Sequence, residues 1–332
     1  MVTMKAFLNL IRWRNLVIII LTMILMRYAV IEPLLRKVGV ILTQGTGEEV
    51  KMALQFSLFD FILLVAATVF IAAGGYVIND YFDIKTDLIN KGKVIIGTKI
   101  PRHRAMMWHN VFNLAGVAAG FYISGKSGHV WLGAIFLVVS GLLYFYSASY
   151  KRQFLIGNLV VAILTAMVPL LVAIYEWPAL YRYYSFNAIS LPNFNFIFYW
   201  VGGFALFAFL STLIREIIKD IEDFEGDVAY GRNTIPVVMG VLSAKIISVV
   251  LISITIVLLY LTWHLFINDK LTLIYITVAI VLPLIYVVYL VAKSNSKKQL
   301  HLASSIMKAV MLTGILYAVV VKMILTWNLF LP

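Results

Sequence analysis

Cysteine is absent from the 332-residue chain. With it go disulfides, thiolate nucleophiles and every Cys-ligated metal centre. Charge is scarce as well: 13% of the residues are Asp, Glu, Lys or Arg, and only 15 are acidic. Soluble domains carry about 25% charged residues, so an ordinary solvated surface is not available to this chain. No glycine-rich phosphate loop is present. Gly74-Gly75 lacks the pattern that should follow, and reads as a close approach of two helices. The five histidines are scattered, and none has another four residues on. That excludes a helical His pair for a metal, and His103 and His109 read as interfacial.

Apolar residues are what the chain has in excess, at 62%. A helix needs about 20 mostly apolar residues to cross the hydrocarbon core. Nine such runs are present, near Asn15–Pro33, Phe56–Ile78, Ala105–Ser124, Val130–Ser147, Leu155–Tyr175, Phe196–Ile218, Ser243–Phe266, Leu271–Ala292 and His301–Leu325. They are long and continuous, not short alternating segments, so helices are expected and a barrel is not. Lys5, Arg12 and Arg14 before the first run give it the outline of a signal peptide. No small-residue cleavage site follows, and a retained first helix is expected.

With the N-terminus in the cytoplasm, the N-terminal tail and the loops after the second, fourth, sixth and eighth spans hold 18 of the 27 Lys and Arg residues, and the opposite loops hold six. This bias fits the positive-inside rule. It accounts for most of the net charge of +12, and no nucleic-acid partner is expected. The sequence therefore predicts one all-α transmembrane domain over residues 1–332, multi-pass in the plasma membrane. Its N-terminus is expected in the cytoplasm and its C-terminus on the opposite side. The connections 34–55 and 176–195 are expected as longer outer loops.

The few acids are unevenly placed. Three lie in Asp80–Asp87 and six in Glu216–Asp227, so nine of 15 fall in two short windows. Both windows follow an apolar run, inside the segments 79–104 and 215–240 that charge bias assigns to the cytoplasmic side. Each places aspartates at i, i+3 and i+7: Asp80, Asp83 and Asp87, then Asp220, Asp223 and Asp227. On a helix these positions share one face. Like charges stacked this way repel unless a cation lies between them. A hard divalent ion such as Mg²⁺ resolves the conflict, because it takes oxygen ligands, one or two carboxylates per ion, and fills its shell with water and substrate phosphate. Solvated acidic loops or an ion pathway are the bland alternatives. Ion pathways place isolated acids within spans, whereas these acids sit at span ends.

At these residues the chain resembles the UbiA superfamily of membrane prenyltransferases. Asn79-Asp80-x-x-Asp83-x-x-x-Asp87 is similar to the first Asp-rich motif of that family, and Lys219-Asp220-x-x-Asp223-x-x-x-Asp227 to the second. Order, separation and the nine spans agree, over essentially the whole chain. The resemblance implies nine transmembrane helices around a central cavity. It implies Mg²⁺ as cofactor, held by Asn79, Asp80, Asp83, Asp87, Asp220, Asp223 and Asp227, with Asp80, Asp83, Asp223 and Asp227 as catalytic residues. It also implies a prenyl diphosphate donor. Arg215-Glu216 and Lys219 through Asp227, followed by Gly231 and Thr234-Ile235-Pro236, most resemble the branch whose donor is geranylgeranyl diphosphate and whose acceptor is geranylgeranylglyceryl phosphate, in ether-lipid biosynthesis. After the first motif the family often carries an Arg-Pro pair. Lys93-Val94 stands there in this chain, which keeps the charge but not the guanidinium fork.

Further residues are expected at the substrate. Tyr146-Ser147 ends the fourth run with Lys151 just beyond, Asn158 opens the fifth, and Arg14-Asn15 opens the first. Each has a bland counterpart: an interfacial tyrosine, a helix cap or a topology charge. Lys91 and Lys93 follow the first motif. Arg215 and Lys219 precede the second, where either meets a phosphate or pairs with Glu222. The acceptor is lipid-like or aromatic: the hydroxyl of a prenylated glycerol phosphate is preferred, with the ring carbon of an aromatic acid, as in quinone biosynthesis, as the alternative. A cation transporter is a distant third reading.

Overall fold

The computed structural model describes residues 3–42, 49–85, 88 and 94–327. Among these, each of the nine apolar runs lies in one long helix. After a short helix α1, Met4–Leu10, come α2, Trp13–Leu35, α3, Leu58–Phe82, α4, Arg102–Lys126, α5, Val130–Ala148, α6, Ile156–Asn187, and α7, Asn195–Glu222. Two short helices follow, α8, Phe224–Ala229, and α9, Ile235–Met239. Then come α10, Val241–Ile267, α11, Lys270–Ala292, and α12, Lys297–Thr326. Among the described residues, strands are confined to a small antiparallel pair in the connection after α2, where β1, Gly39–Ile41, pairs with β2, Glu49–Lys51. The chain is an all-α, multi-pass membrane protein.

Eight of the nine helices are long and apolar enough to cross a membrane, by length and composition. The exception is α4, which equals α3 in length at 25 residues. Its polar residues are used internally. His109 Nδ1 lies 3.0 Å from the carbonyl of Gly74, Asn113 Nδ2 donates to the His109 carbonyl at 2.8 Å, and Ser140 Oγ donates to Asn113 Oδ1 at 2.6 Å. His109 is therefore buried between helices.

The chain forms two compact units. The first comprises residues 1–21, 57–160 and 223–238. Its backbone is the antiparallel pair α3 and α4. Small residues let them close: a Cβ on Gly74 would lie 2.7 Å from Asn113 Nδ2, and one on Gly116 would lie 2.7 Å from Ile71. The Gly74-Gly75 pair thus serves helix packing, as expected. At one end, Ser57 caps α3 and Lys126 pairs with Asp60 at 2.8 Å. At the other end, Ala6 and Leu10 of α1 pack on Val77, Ile96, Ile100 and Ala105.

The second unit comprises residues 22–56, 161–222 and 239–332. Two π-helical turns there, Met26–Ile31 and Ile276–Val281, run into Pro33 and Pro283. Proline has no N–H to give the carbonyl four residues back. For Pro283 that carbonyl is Ala279, which instead accepts from Thr313 Oγ1 of α12 at 3.0 Å. The region 176–195, expected as a loop, is helical as far as Asn187. Leu180 and Tyr184 are buried along this extension, and buried Glu176 accepts the backbone N–H groups of Gln55 and Phe56 at 2.6 and 3.0 Å. Tertiary contacts hold the helix past a composition that alone favours a loop.

Candidate active site

The two acidic stripes are not continuous helices, which corrects the sequence expectation. Helix α3 ends at Phe82, and Asp83 caps it with φ −91° and ψ 4°. Helix α7 ends at Glu222, and Asp223 has φ −92° and ψ 7° before α8 begins. Both middle aspartates leave the α region for the same bridge conformation. The reason is the repulsion that a straight stripe would impose, together with the poor helix propensity of Asp. Asp83 still donates its N–H to the Asn79 carbonyl at 3.0 Å.

Basic side chains of the first unit gather on these acids. Arg12 lies between α1 and α2 in the left-handed region, with φ 50°. Its guanidinium donates to Asp80 Oδ1 at 2.8 Å and sits 5.1 Å from the ring centre of Tyr76. Lys151, buried in the turn after α5, reaches Asp83 Oδ1 at 2.7 Å and Asn79 Oδ1 at 3.3 Å. Gly157 permits this turn, since a Cβ there would meet the Lys151 Cα at 2.7 Å. Burial pushes the Lys151 ammonium down to about 8, against the opposing pull of Asp83.

Arg232 joins the two motifs. It donates to Asp83 Oδ1 at 2.8 Å and to Asp227 Oδ1 at 3.4 Å. Thr234 Oγ1 donates to the other oxygen of Asp227 at 3.2 Å. The turn that aims Arg232 is a Schellman motif closing α8: Arg232 N–H bonds the Asp227 carbonyl at 2.9 Å, and Gly231 N–H bonds the Val228 carbonyl at 3.2 Å. Gly231 supplies the required left-handed residue, with φ 63°.

Asp80, Asp83, Asp227 and Asn79 thus share one site, with three cations, Arg12, Lys151 and Arg232, on three carboxylates. Among the described residues no three acids or histidines converge tightly enough to cage a metal by themselves. The donor set is nevertheless all oxygen, which suits a hard ion that takes one or two carboxylates and leaves its other positions to ligand oxygens.

Other expected residues take a range of positions. Asp223 lies at the α7–α8 break. Lys219 and Asp220 occupy the last turn of α7. Glu222 takes His301 as its partner, with Nδ1 at 2.9 Å, in place of the expected Arg215 or Lys219, and Arg215 pairs with its neighbour Glu216. Arg14 and Asn15 are exposed at the start of α2, with Arg14 5.8 Å from the Trp13 ring centre. Tyr146 is an electrostatic neighbour of Arg12. Ser147 is fully buried and donates to its own helix at the Leu143 carbonyl, 2.8 Å away. Asn158 is buried in the first turn of α6. Asp87, Lys91 and Lys93 lie outside the described residues.

Sequence reasoning missed Arg12, Arg232 and Thr234 as site residues. The first two read as topology charges. The signal present was Gly231, a helix-terminating glycine that sets the following arginine back beside Asp227.

A family model for the UbiA prenyltransferase family matches residues 50–327. The digeranylgeranylglyceryl phosphate synthase of Methanosphaera stadtmanae is 35% identical over 255 residues, covering 76% of this chain and 84% of that protein. Among solved structures, one of digeranylgeranylglyceryl phosphate synthase superposes with a TM-score of 0.64 at 24% identity, over 95% of this chain and 98% of that one. A UbiA homolog from Archaeoglobus fulgidus bound to GPP and Mg²⁺ superposes with a TM-score of 0.52 at 16% identity, over 95% and 99%. These superpositions carry the fold, and the family match together with the sequence identity carries the assignment: the chain belongs to the UbiA prenyltransferase family.

Proposed function

We propose that the chain transfers a geranylgeranyl group from its diphosphate to the hydroxyl of geranylgeranylglyceryl phosphate, in a Mg²⁺-dependent reaction at the cytoplasmic face of the plasma membrane. The observation that carries this is Arg232, which brings carboxylates of both acidic motifs, Asp83 and Asp227, to one point. The name of the Methanosphaera stadtmanae relative supports the choice of acceptor, and the Archaeoglobus fulgidus homolog bound to Mg²⁺ supports the ion.

Asn79, Asp80, Asp83 and Asp227 would hold the ion, with Asp220, Asp223 and Asp87 completing the two motifs. When bound, Mg²⁺ neutralises charge that builds on the diphosphate as the leaving bond breaks. The residues of the chain do the rest. Arg12, Lys151 and Arg232 supply positive charge to diphosphate oxygens, and the buried Lys151 ammonium does so where water screens it least. The allylic C–O bond breaks with its electron pair on the diphosphate. The acceptor oxygen bonds the prenyl carbon, and its proton passes to the released diphosphate.

The test is purified protein in lipid nanodiscs with labelled geranylgeranyl diphosphate, the acceptor and Mg²⁺, read by mass spectrometry. The expected product carries two geranylgeranyl groups. No diphosphate release with any acceptor, from protein that folds normally, would sink the reading.

A further inference from the structure

Among the described residues the carboxylate cluster sets three cations on three acids. Beside it lies a cavity of about 350 Å³ whose wall includes Lys85, Arg102, Arg152, Arg232, Tyr81 and Tyr230. No acid lines it. Of its four cations among the described residues, Arg232 is the one paired with the carboxylates. Lys85, Arg102 and Arg152 form no ion pair among the described residues. The wall is also a built structure. Tyr230 Oη donates to the Lys85 carbonyl at 3.1 Å, and Asn233 N–H donates to the Arg152 carbonyl at 2.9 Å. These bonds tie both motif segments and the turn after α5 around one space. Three cations with no ion pair among the described residues, set around a small cavity, call for a multiply charged anion. Guanidinium groups favour phosphate, whose oxygens match their fork.

We propose that this cavity receives the phosphomonoester of the acceptor lipid, next to the diphosphate seat and separate from it, with Arg232 as the wall between the two. The inference rests on the acceptor reading above. A phosphomonoester carries close to two negative charges at neutral pH, which suits the uncompensated Lys85, Arg102 and Arg152. The volume accommodates a phosphoglycerol headgroup. A headgroup held here stands beside Asp83 and Asp227, where the prenyl diphosphate is activated. An aromatic carboxylate has one charge and would leave most of this wall unanswered.

The experiment uses the full chain in neutral-lipid nanodiscs, with Arg102→Gln and Arg152→Gln, both at exposed positions, and Lys298→Gln as a distant charge control. In steady-state assays the KM for the acceptor is expected to rise about tenfold to a hundredfold in each cavity variant, the usual weight of a charge-assisted hydrogen bond. The KM for geranylgeranyl diphosphate stays within about twofold of wild type, and Lys298→Gln changes neither. A rise confined to the diphosphate KM overturns the proposal, as does an equal effect of Lys298→Gln. A second arm measures direct binding of geranylgeranylglyceryl phosphate with divalent ions chelated, beside the same lipid lacking phosphate and an anionic diester phospholipid. Wild type is expected to prefer the phosphomonoester, and the cavity variants to lose that preference. Equal binding by wild type and variants overturns the cavity assignment whatever the turnover. If the assigned reaction is itself wrong, the signature differs: wild type binds the lipid through these residues yet does not prenylate it.

Discussion

Arg232 holds Asp83 and Asp227 together by charge, and a bound cation competes with it for the same oxygens. This makes two effects of Arg232→Ala opposite in sign. Binding of Mn²⁺ to the substrate-free protein, followed by electron paramagnetic resonance, is expected to tighten, because two carboxylates lose their internal counter-ion. Turnover is expected to fall at least about tenfold, because a charge-assisted contact to the diphosphate is gone. Weaker Mn²⁺ binding in the variant would show that Arg232 organises the carboxylates and does not compete for them. Asp80→Asn and Asp227→Asn are expected to lower kcat by about a hundredfold or more, since each amide keeps the shape but loses the charge. Wild-type rates in either would remove the carboxylates from the mechanism. The acids were legible in the sequence because they are rare and regularly spaced. Their basic partners were not. Arg12 and Arg232 look like any positive-inside residue until a left-handed turn at Arg12 and a Schellman turn at Gly231 aim them.

Helix ends decide where these side chains point. Gly231→Ala forces a Cβ into the left-handed region, at a cost of about 1–2 kcal/mol. Its larger effect is expected on catalysis: the α8 turn relaxes and Arg232 leaves Asp83. A loss of activity with unchanged far-ultraviolet circular dichroism is the expected outcome, and full activity would show that the turn tolerates other geometries. Packing makes a separate prediction. A Cβ on Gly120 would lie 2.3 Å from the Phe136 ring, so Gly120→Leu overfills the contact of α4 with α5. It is expected to lower stability in detergent by about 1–3 kcal/mol, seen as a fall in Tm while residual activity at low temperature persists. The spans themselves were readable from apolar length, to within a few residues at most ends. Two features were not. The stripe geometry failed at Asp83 and Asp223 because periodicity counts positions and ignores repulsion between them. The helix through 176–187 persists because Glu176 and Tyr184 hold the segment 53–56, a long-range contact that local composition does not encode.

On the scale of the whole chain, the missing cysteine becomes a tool. Single cysteines at Lys5, Lys270 and Lys298, all exposed, report sidedness without background. With a membrane-impermeant maleimide, Lys5→Cys and Lys298→Cys are expected to react from the cytoplasmic side and Lys270→Cys from the other. Labelling of Lys270→Cys and Lys298→Cys from the same side would break the alternation of α11. The charge bias that predicts this orientation was visible at once, because it sums over many residues and no single contact decides it. The site residues of the first unit repeat the same alternation: Arg12 precedes α2, Asp80 and Asp83 close α3, Arg102 opens α4, and Lys151 follows α5. All lie at one set of helix ends. Prenylation in the proposed reaction is therefore confined to a single leaflet. Each new lipid is born with its headgroup on that side, and bilayer growth from it depends on a separate transbilayer movement to populate the other leaflet.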